Sequence, residues 1–167
     1  MRARVPRAGA PVAHDPVRTS HAGRDGTKGG HMADTEHDLE SHYRAYLRAL
    51  NERRLDDLVH FVRDTLTYNG EPMERRRYRD MIASDIAAVP DLRFDVGLLV
   101  VSGDQVACRL VFDCTPRHEF LGFVPDGVRV SFAEHVFYTF EDGRIATVWS
   151  LIDRDALARR LRRVSEG

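Results

Sequence analysis

Glu134 and His135 are the adjacent side chains best suited to moving a proton in this chain. Histidine does so unaided near neutral pH, and a glutamate does so when an apolar pocket lifts its pKa towards ~6–7. Both fall in Val128–Phe140, a long alternating run that reads as a strand. The Asp142-Gly143 pair turns it back into a second strand, Arg144–Ile152. The hairpin register decides which of the two looks at Ser150. If Glu141-Asp142-Gly143 is a three-residue loop with a glycine bulge, Phe140 pairs with Arg144 and Glu134 faces Ser150, with Tyr138 on the same face. If Asp142-Gly143 is a two-residue turn, the register slips by one and His135 faces Ser150. The competing expectations are a Glu134 ion-paired with Arg109 or Arg129, and a His135 turned outward into a subunit interface.

Other candidates sit on helical faces and turns. Tyr43 and Tyr46 share the apolar side of a helix, where their hydroxyls could hold a substrate oxygen or an enolate, or their rings could simply pack. Asn69 follows the short β-rich run that ends at Tyr68, and offers a donor and an acceptor at a pocket edge or serves the Asn69-Gly70 turn. Asp85 lies on a mostly apolar helix face, so it is either ion-paired or part of a pocket. Signatures of other chemistries are missing. The sequence has no phosphate loop, no dinucleotide fingerprint and no His-Glu-x-x-His helix. Cys108 and Cys114 lack zinc-ligand spacing, and no metal site is expected.

The elements that must position these groups follow from periodicity. Leu39, Tyr43, Tyr46, Leu47 and Leu50 recur at helical spacing from Glu36 to Asn51, with Thr35 expected as the N-cap. A short helix is expected around Leu55–Val62, and a third from Glu74 to Val89, carrying Tyr78, Ile82, Asp85 and Ile86 on one face. After Pro90 the period changes from helical to alternating. Leu92–Val96, Gln105–Cys114, Val128–Phe140 and Arg144–Ile152 read as strands, and Asp153–Arg163 as a closing helix capped by Asp153. This order predicts an α+β fold: three N-terminal helices on a curved antiparallel sheet, with a C-terminal helix closing a cone.

Length and charge bound the rest. The 167 residues, 43% hydrophobic and with a net charge of −1, indicate one globular domain. No apolar run approaches the ~20 residues of a membrane span. The charge is uneven: residues 1–31 hold six basic and two acidic side chains, leaving −5 for residues 32–167. The first segment, rich in glycine and proline, is expected to be a disordered basic arm, and Met32 is an alternative start. Its basic beginning leads into no apolar stretch, so no secretory leader is expected. Cys108 and Cys114 would lie about 20 Å apart on one strand, too far for a disulfide, and free thiols suit a cytoplasmic location. The arginine runs at 75–79 and 159–163 lack interleaved aromatics, so neither nucleic acid nor membrane is an expected partner.

Several segments together carry a resemblance. They are Tyr43–Leu47 with Leu50-Asn51, Tyr68-Asn69-Gly70, Pro90–Phe94, Glu119–Gly122 with Pro125 and Gly127, and Phe140–Ile145 running into Trp149. In this order the chain resembles the SnoaL-like polyketide and ester cyclases of the nuclear transport factor 2-like superfamily, over residues 36–162. The resemblance implies a homodimer of cones that needs no cofactor and encloses a hydrophobic small molecule. With the readings of faces and register above, the expected substrate-contacting residues are Tyr43, Tyr46, Tyr68, Asn69, Asp85, Tyr138, Trp149 and Ser150. The polyketide cyclases place an aspartate after the tryptophan in a His-Trp-Asp motif, whereas this chain reads Val148-Trp149-Ser150. The expected function is therefore a cofactor-free cyclisation, isomerisation or dehydration of a hydrophobic oxygenated metabolite, with Glu134 or His135 as replacement acid/base. The alternative is a ligand-binding or accessory protein on the same frame.

Overall fold

The structure, a computed structural model, describes residues 29–163. The expected basic arm lies outside the described residues except for its last three, which open the first helix. Helix α1 spans Gly29–Asn51, a 3₁₀ turn Leu55–Asp57 leads into the short α2, Leu58–Phe61, and α3 spans Arg75–Ala88. The strands are β1 (Val62–Tyr68), β2 (Glu71–Glu74), β3 (Asp95–Ser102), β4 (Gln105–Cys114), β5 (Phe123–Val124), β6 (Val130–Glu141), β7 (Arg144–Ile152) and β8 (Arg162–Arg163). The last helix, α4, is Arg154–Ala158. Six strands form one curved, unclosed sheet in the order β2-β1-β7-β6-β4-β3, with α1 and α3 packed on its concave side. The α+β cone expected from the periodicity is the fold observed.

Several boundaries differ from expectation for local reasons. Thr35 lies inside α1 rather than capping it. Upstream polar residues extend a helix at small propensity cost, and the apolar face marks only the part that packs. The Asn69-Gly70 pair, both residues at positive φ, makes a tight hairpin from β1 into β2, an unexpected strand. That strand contains Pro72, which only an edge position tolerates. The sheet is antiparallel except for β1 and β7, which run parallel. Leu92–Phe94 is not strand: Asn51 clamps the Phe94 backbone, accepting from its N–H at 2.8 Å, and Arg53 donates to the carbonyls of Pro90 and Leu92. Gly97 makes a bulge in β3, where a Cβ would come within 2.9 Å of Val111. The closing helix is shorter than expected. Asp153 caps it by accepting from the Ala156 N–H at 2.9 Å, but the chain then leaves the helix so that Arg162–Arg163 can pair with β5.

Candidate functional site: two carboxyls in a tyrosine-lined cavity

The β6–β7 hairpin differs from both expected registers. Its turn is the two-residue Asp142-Gly143, with Glu141 opposite Arg144, but a bulge at Ala146 then shifts the pairing by one. Ser150 therefore stands opposite Val136, and Glu134 opposite Ile152. Glu134 and Ser150 are diagonal neighbours on one face, close enough that the Ser150 hydroxyl donates to Glu134 Oε1 at 2.5 Å. The bulge restored the face that a plain two-residue turn would have reversed. His135 falls on the convex face, exposed, with Arg109 and Leu151 as cross-strand neighbours. It takes no part in the concave side, which corrects one of the two expected acid/base candidates. Neither expected arginine reaches Glu134. Arg109 is exposed on the convex face, and Arg129 binds Asp113 at 2.9 Å and also approaches Asp91.

Around Glu134 the concave face encloses a cavity of about 70 Å³. Its polar lining is Glu134, Asp85, Tyr46, Tyr68, Tyr78 and Tyr138, set among apolar side chains that include Met81, Phe94 and Ile152. Larger hollows elsewhere are open surface grooves, such as the one between α2 and α3, whose charged walls include the ion pairs Arg75–Asp64 and Arg79–Asp56. An apolar cavity that accepts benzene has a volume of ~150 Å³, so a polycyclic molecule enters this one only if its walls part.

All five tyrosines of the chain meet here. Tyr43, Tyr46 and Tyr138 form a mutual ring cluster, with Tyr43 and Tyr138 centroids 5.2 Å apart, while Tyr68 packs beside Tyr78 at 6.1 Å. The Tyr46 and Tyr78 hydroxyls share a hydrogen bond of 2.8 Å. The Tyr43 hydroxyl is buried beside Cys108 and Tyr138 without a well-formed hydrogen bond to either, and Tyr43 does not line the cavity. Burial pushes the pKa of every one of these phenols up, so they stay neutral donors at physiological pH.

Burial also raises the Glu134 carboxyl above its usual range, and the Ser150 hydroxyl pulls it partly back. Asp85 is pushed up to about 6, mainly by burial and further by the Glu134 charge. Asn69 is exposed, and its amide is committed to backbone: Oδ1 accepts from the Ser150 N–H at 2.8 Å and Nδ2 donates to the Ser150 carbonyl at 3.3 Å. It positions Ser150 rather than facing the cavity. Trp149 points outward, exposed, because it alternates with Val148 and Ser150 along β7. The expected pocket residues thus divide. Glu134, Ser150, Asp85, Tyr46, Tyr68 and Tyr138 converge, Tyr43 packs behind them, and His135, Trp149 and Asn69 stand outside. Tyr78 belongs to the site although only its helical face was read, and its seven-residue spacing from Asp85, two turns, was the available signal. Among the described residues, no group of three or more His, Cys, Asp or Glu side chains could hold a metal ion.

A cone with this cavity is what the cyclase resemblance implies, and the sequence profile of the SnoaL-like polyketide cyclases matches residues 40–161. The chain belongs to the SnoaL-like polyketide cyclase family. A SnoaL-like polyketide cyclase from Agrobacterium tumefaciens strain C58 is 45% identical, covering 73% of this chain and 96% of its own, with a TM-score of 0.70. Two more distant structures share the SnoaL-like fold. A candidate polyketide cyclase from Acidithiobacillus ferrooxidans is 20% identical over 74% of this chain and 93% of its own, with a TM-score of 0.65. AclR from Streptomyces galilaeus, a candidate hydroxylase, is 24% identical over 75% of this chain and 96% of its own, also with a TM-score of 0.65. Among curated proteins none matches. In this SnoaL-like family member no helix among the described residues is long and apolar enough to cross a membrane.

Proposed function

We propose that the protein is a cofactor-free enzyme that moves a proton on a hydrophobic, oxygenated small molecule, in a cyclisation, isomerisation or dehydration. The observation that carries this reading is the Glu134 carboxyl, lifted by burial, held by Ser150 and facing the tyrosine-lined cavity. A carboxyl so placed exchanges its proton near the pH at which the enzyme works. Ser150 stands where the polyketide cyclases carry their aspartate, and a hydroxyl alone cannot take and return a proton. Glu134, its hydrogen-bond partner, supplies that capacity in the same place. The neutral phenols of Tyr46, Tyr68 and Tyr138 serve as donors to oxygens whose negative charge grows during the reaction. The small cavity and the 45% identical polyketide cyclase support a carbonyl-rich substrate that the walls open to admit.

Glu134→Gln keeps the shape and the Ser150 hydrogen bond but cannot move a proton. With a substrate selected by thermal-shift screening of aldol-prone polyketide mimics, turnover is expected to fall at least ~100-fold while the fold is retained. Undiminished turnover in that variant overturns the reading. A second reading, a binding protein without turnover, draws on the serine at position 150. In that case the selected ligand stabilises the protein and is recovered unchanged.

The partner we propose is a second copy of the chain, in a reducing cytoplasmic setting that keeps Cys108 and Cys114 as thiols. Leu98, Val100, Phe137, Trp149 and Leu151 are all more than half exposed and form two adjacent rows across the convex sheet. Val100, Phe137 and Trp149 share one row, while Arg109 and His135 stand between Leu98 and Leu151 in the other. An exposed apolar patch with polar groups beside it marks an association surface, and a two-fold dimer is its commonest use.

A further inference from the structure

Asp85 enters the cavity from α3, while Glu134 enters it from β6. On α3 it stands one turn beyond Ile82 and two beyond Tyr78, which fixes it on the inward face. Its carboxyl makes no hydrogen bond or ion pair among the described residues, and no Lys, Arg or His lines the cavity. The groups around the cavity with it are Tyr46 from α1, Tyr68 from β1, Glu134 and Tyr138 from β6, and Tyr78 on its own helix. The Tyr68 phenol lies within reach of both carboxyl charges. A carboxylate is seldom half-buried without a cation, and at one small cavity the charge of Glu134 adds to burial in raising Asp85. The Glu134 charge therefore helps to hold the Asp85 proton, which is kept up to about pH 6.

Building on the proton-transfer reading above, we propose that Asp85 is the second proton-carrying group of the cavity. It shares one proton with Glu134, so that a carboxylic acid and a carboxylate face the bound molecule together. Such a pair takes an uncharged, carbonyl-bearing ligand and repels carboxylates and phosphates. The step it supports balances within the site. The ionised carboxylate takes a proton from the carbon beside the carbonyl, and the C–H electron pair becomes the C=C bond of an enol. The carbonyl π pair moves to its oxygen, which receives the proton of the neutral carboxyl. One proton has been taken and one given, and the two carboxyls have exchanged states.

Isotope-edited NMR of the side-chain carboxyls tests the pair without any substrate. In the wild type the two carboxyls are expected to titrate in separated steps. In Glu134→Gln the Asp85 midpoint is expected to drop by about half a pH unit or more, because Glu134 ionises first and its charge raises Asp85. If Glu134→Gln does not fold, Glu134→Ala removes the same charge and decides the matter by the same Asp85 midpoint. An Asp85 midpoint that stays in place when Glu134 is neutralised overturns the pairing. The outcome is independent of the proposed function: coupled titration with full turnover in Glu134→Gln rejects the enzyme reading alone, whereas uncoupled titration with lost turnover rejects the pair alone.

Discussion

The two faces of the β6–β7 hairpin are built from the same strands in strict alternation, and they solve opposite problems. Glu134, Tyr138, Val148 and Ser150 look into the cone, where apolar side chains strip water from a carboxyl and four phenols. His135, Phe137, Trp149 and Leu151 look out, and there large apolar side chains meet water instead. On the inside, polar groups are held where solvation is poor, which lifts their pKa values and costs stability. On the outside, apolar groups lie where packing is missing, which favours association. A one-residue slip would exchange the two sets, so the Ala146 bulge determines which chemistry the protein has.

The largest effect that separates the faces is that of Glu134→Gln, at least ~100-fold on turnover with the subunit arrangement untouched. Its counterpart on the convex side is the double change Phe137→Glu and Leu151→Glu. It places like charges on this face and is expected to turn the proposed dimer into a monomer, read by light scattering, while ligand binding in the cone persists. An unchanged mass would remove the convex face as the association surface.

Next in size is the stability effect of Asp85→Asn. Folding raises the Asp85 pKa from 3.8 to about 6, so the native state binds this proton more tightly than the unfolded chain does. The stability from that proton is fully present below about pH 4 and lost as pH rises through about 6. Asparagine does not ionise, so the variant is expected to be more stable than the wild type above about pH 7, by on the order of 2 kcal/mol after discounting for the partial exposure of Asp85. It is also expected to lose Asp85's share of the slope between about pH 4 and 6, while that of Glu134 remains. Thermal melts across that range check it.

The smallest effect is that of Ser150→Ala. The serine hydroxyl favours the ionised form of Glu134, so its removal moves the carboxyl further up and shifts the acid limb of the pH–rate profile to higher pH. The loss of rate near pH 6 is expected to be about 10-fold or less. An unmoved acid limb would mean that a group other than Glu134 sets it.

The elements were legible because their signals are local. Gln105–Cys114 and Arg144–Ile152 begin and end where alternation and turn residues put them, and Asp153 caps the helix that follows. Which of Glu134 and His135 shares a face with Ser150 stayed open between the two turns, and the two-residue turn observed would by itself have chosen His135. The actual partners were not legible, because a bulge is set by how the sheet bends and no residue type announces it. Asn69 illustrates the same limit. Its residue type allows substrate contact, but β1 runs parallel to β7 and brings its amide onto the Ser150 backbone instead. Trp149 was expected in the pocket from its place in the family pattern, and alternation along β7 turns it outward.

The sequence by itself determined the helical and strand periods, the α+β order, the family and the presence of a proton-carrying side chain on the long hairpin. These depend on neighbours within a few residues. Only the tertiary structure decided that Asp85, far from Glu134 along the chain, shares its cavity, that Tyr78 joins Tyr46, and that no cation accompanies them there. Burial and charge coupling arise between elements that meet only after folding, so the pKa values that make this site chemical are properties of the packed cone and not of any segment of the chain.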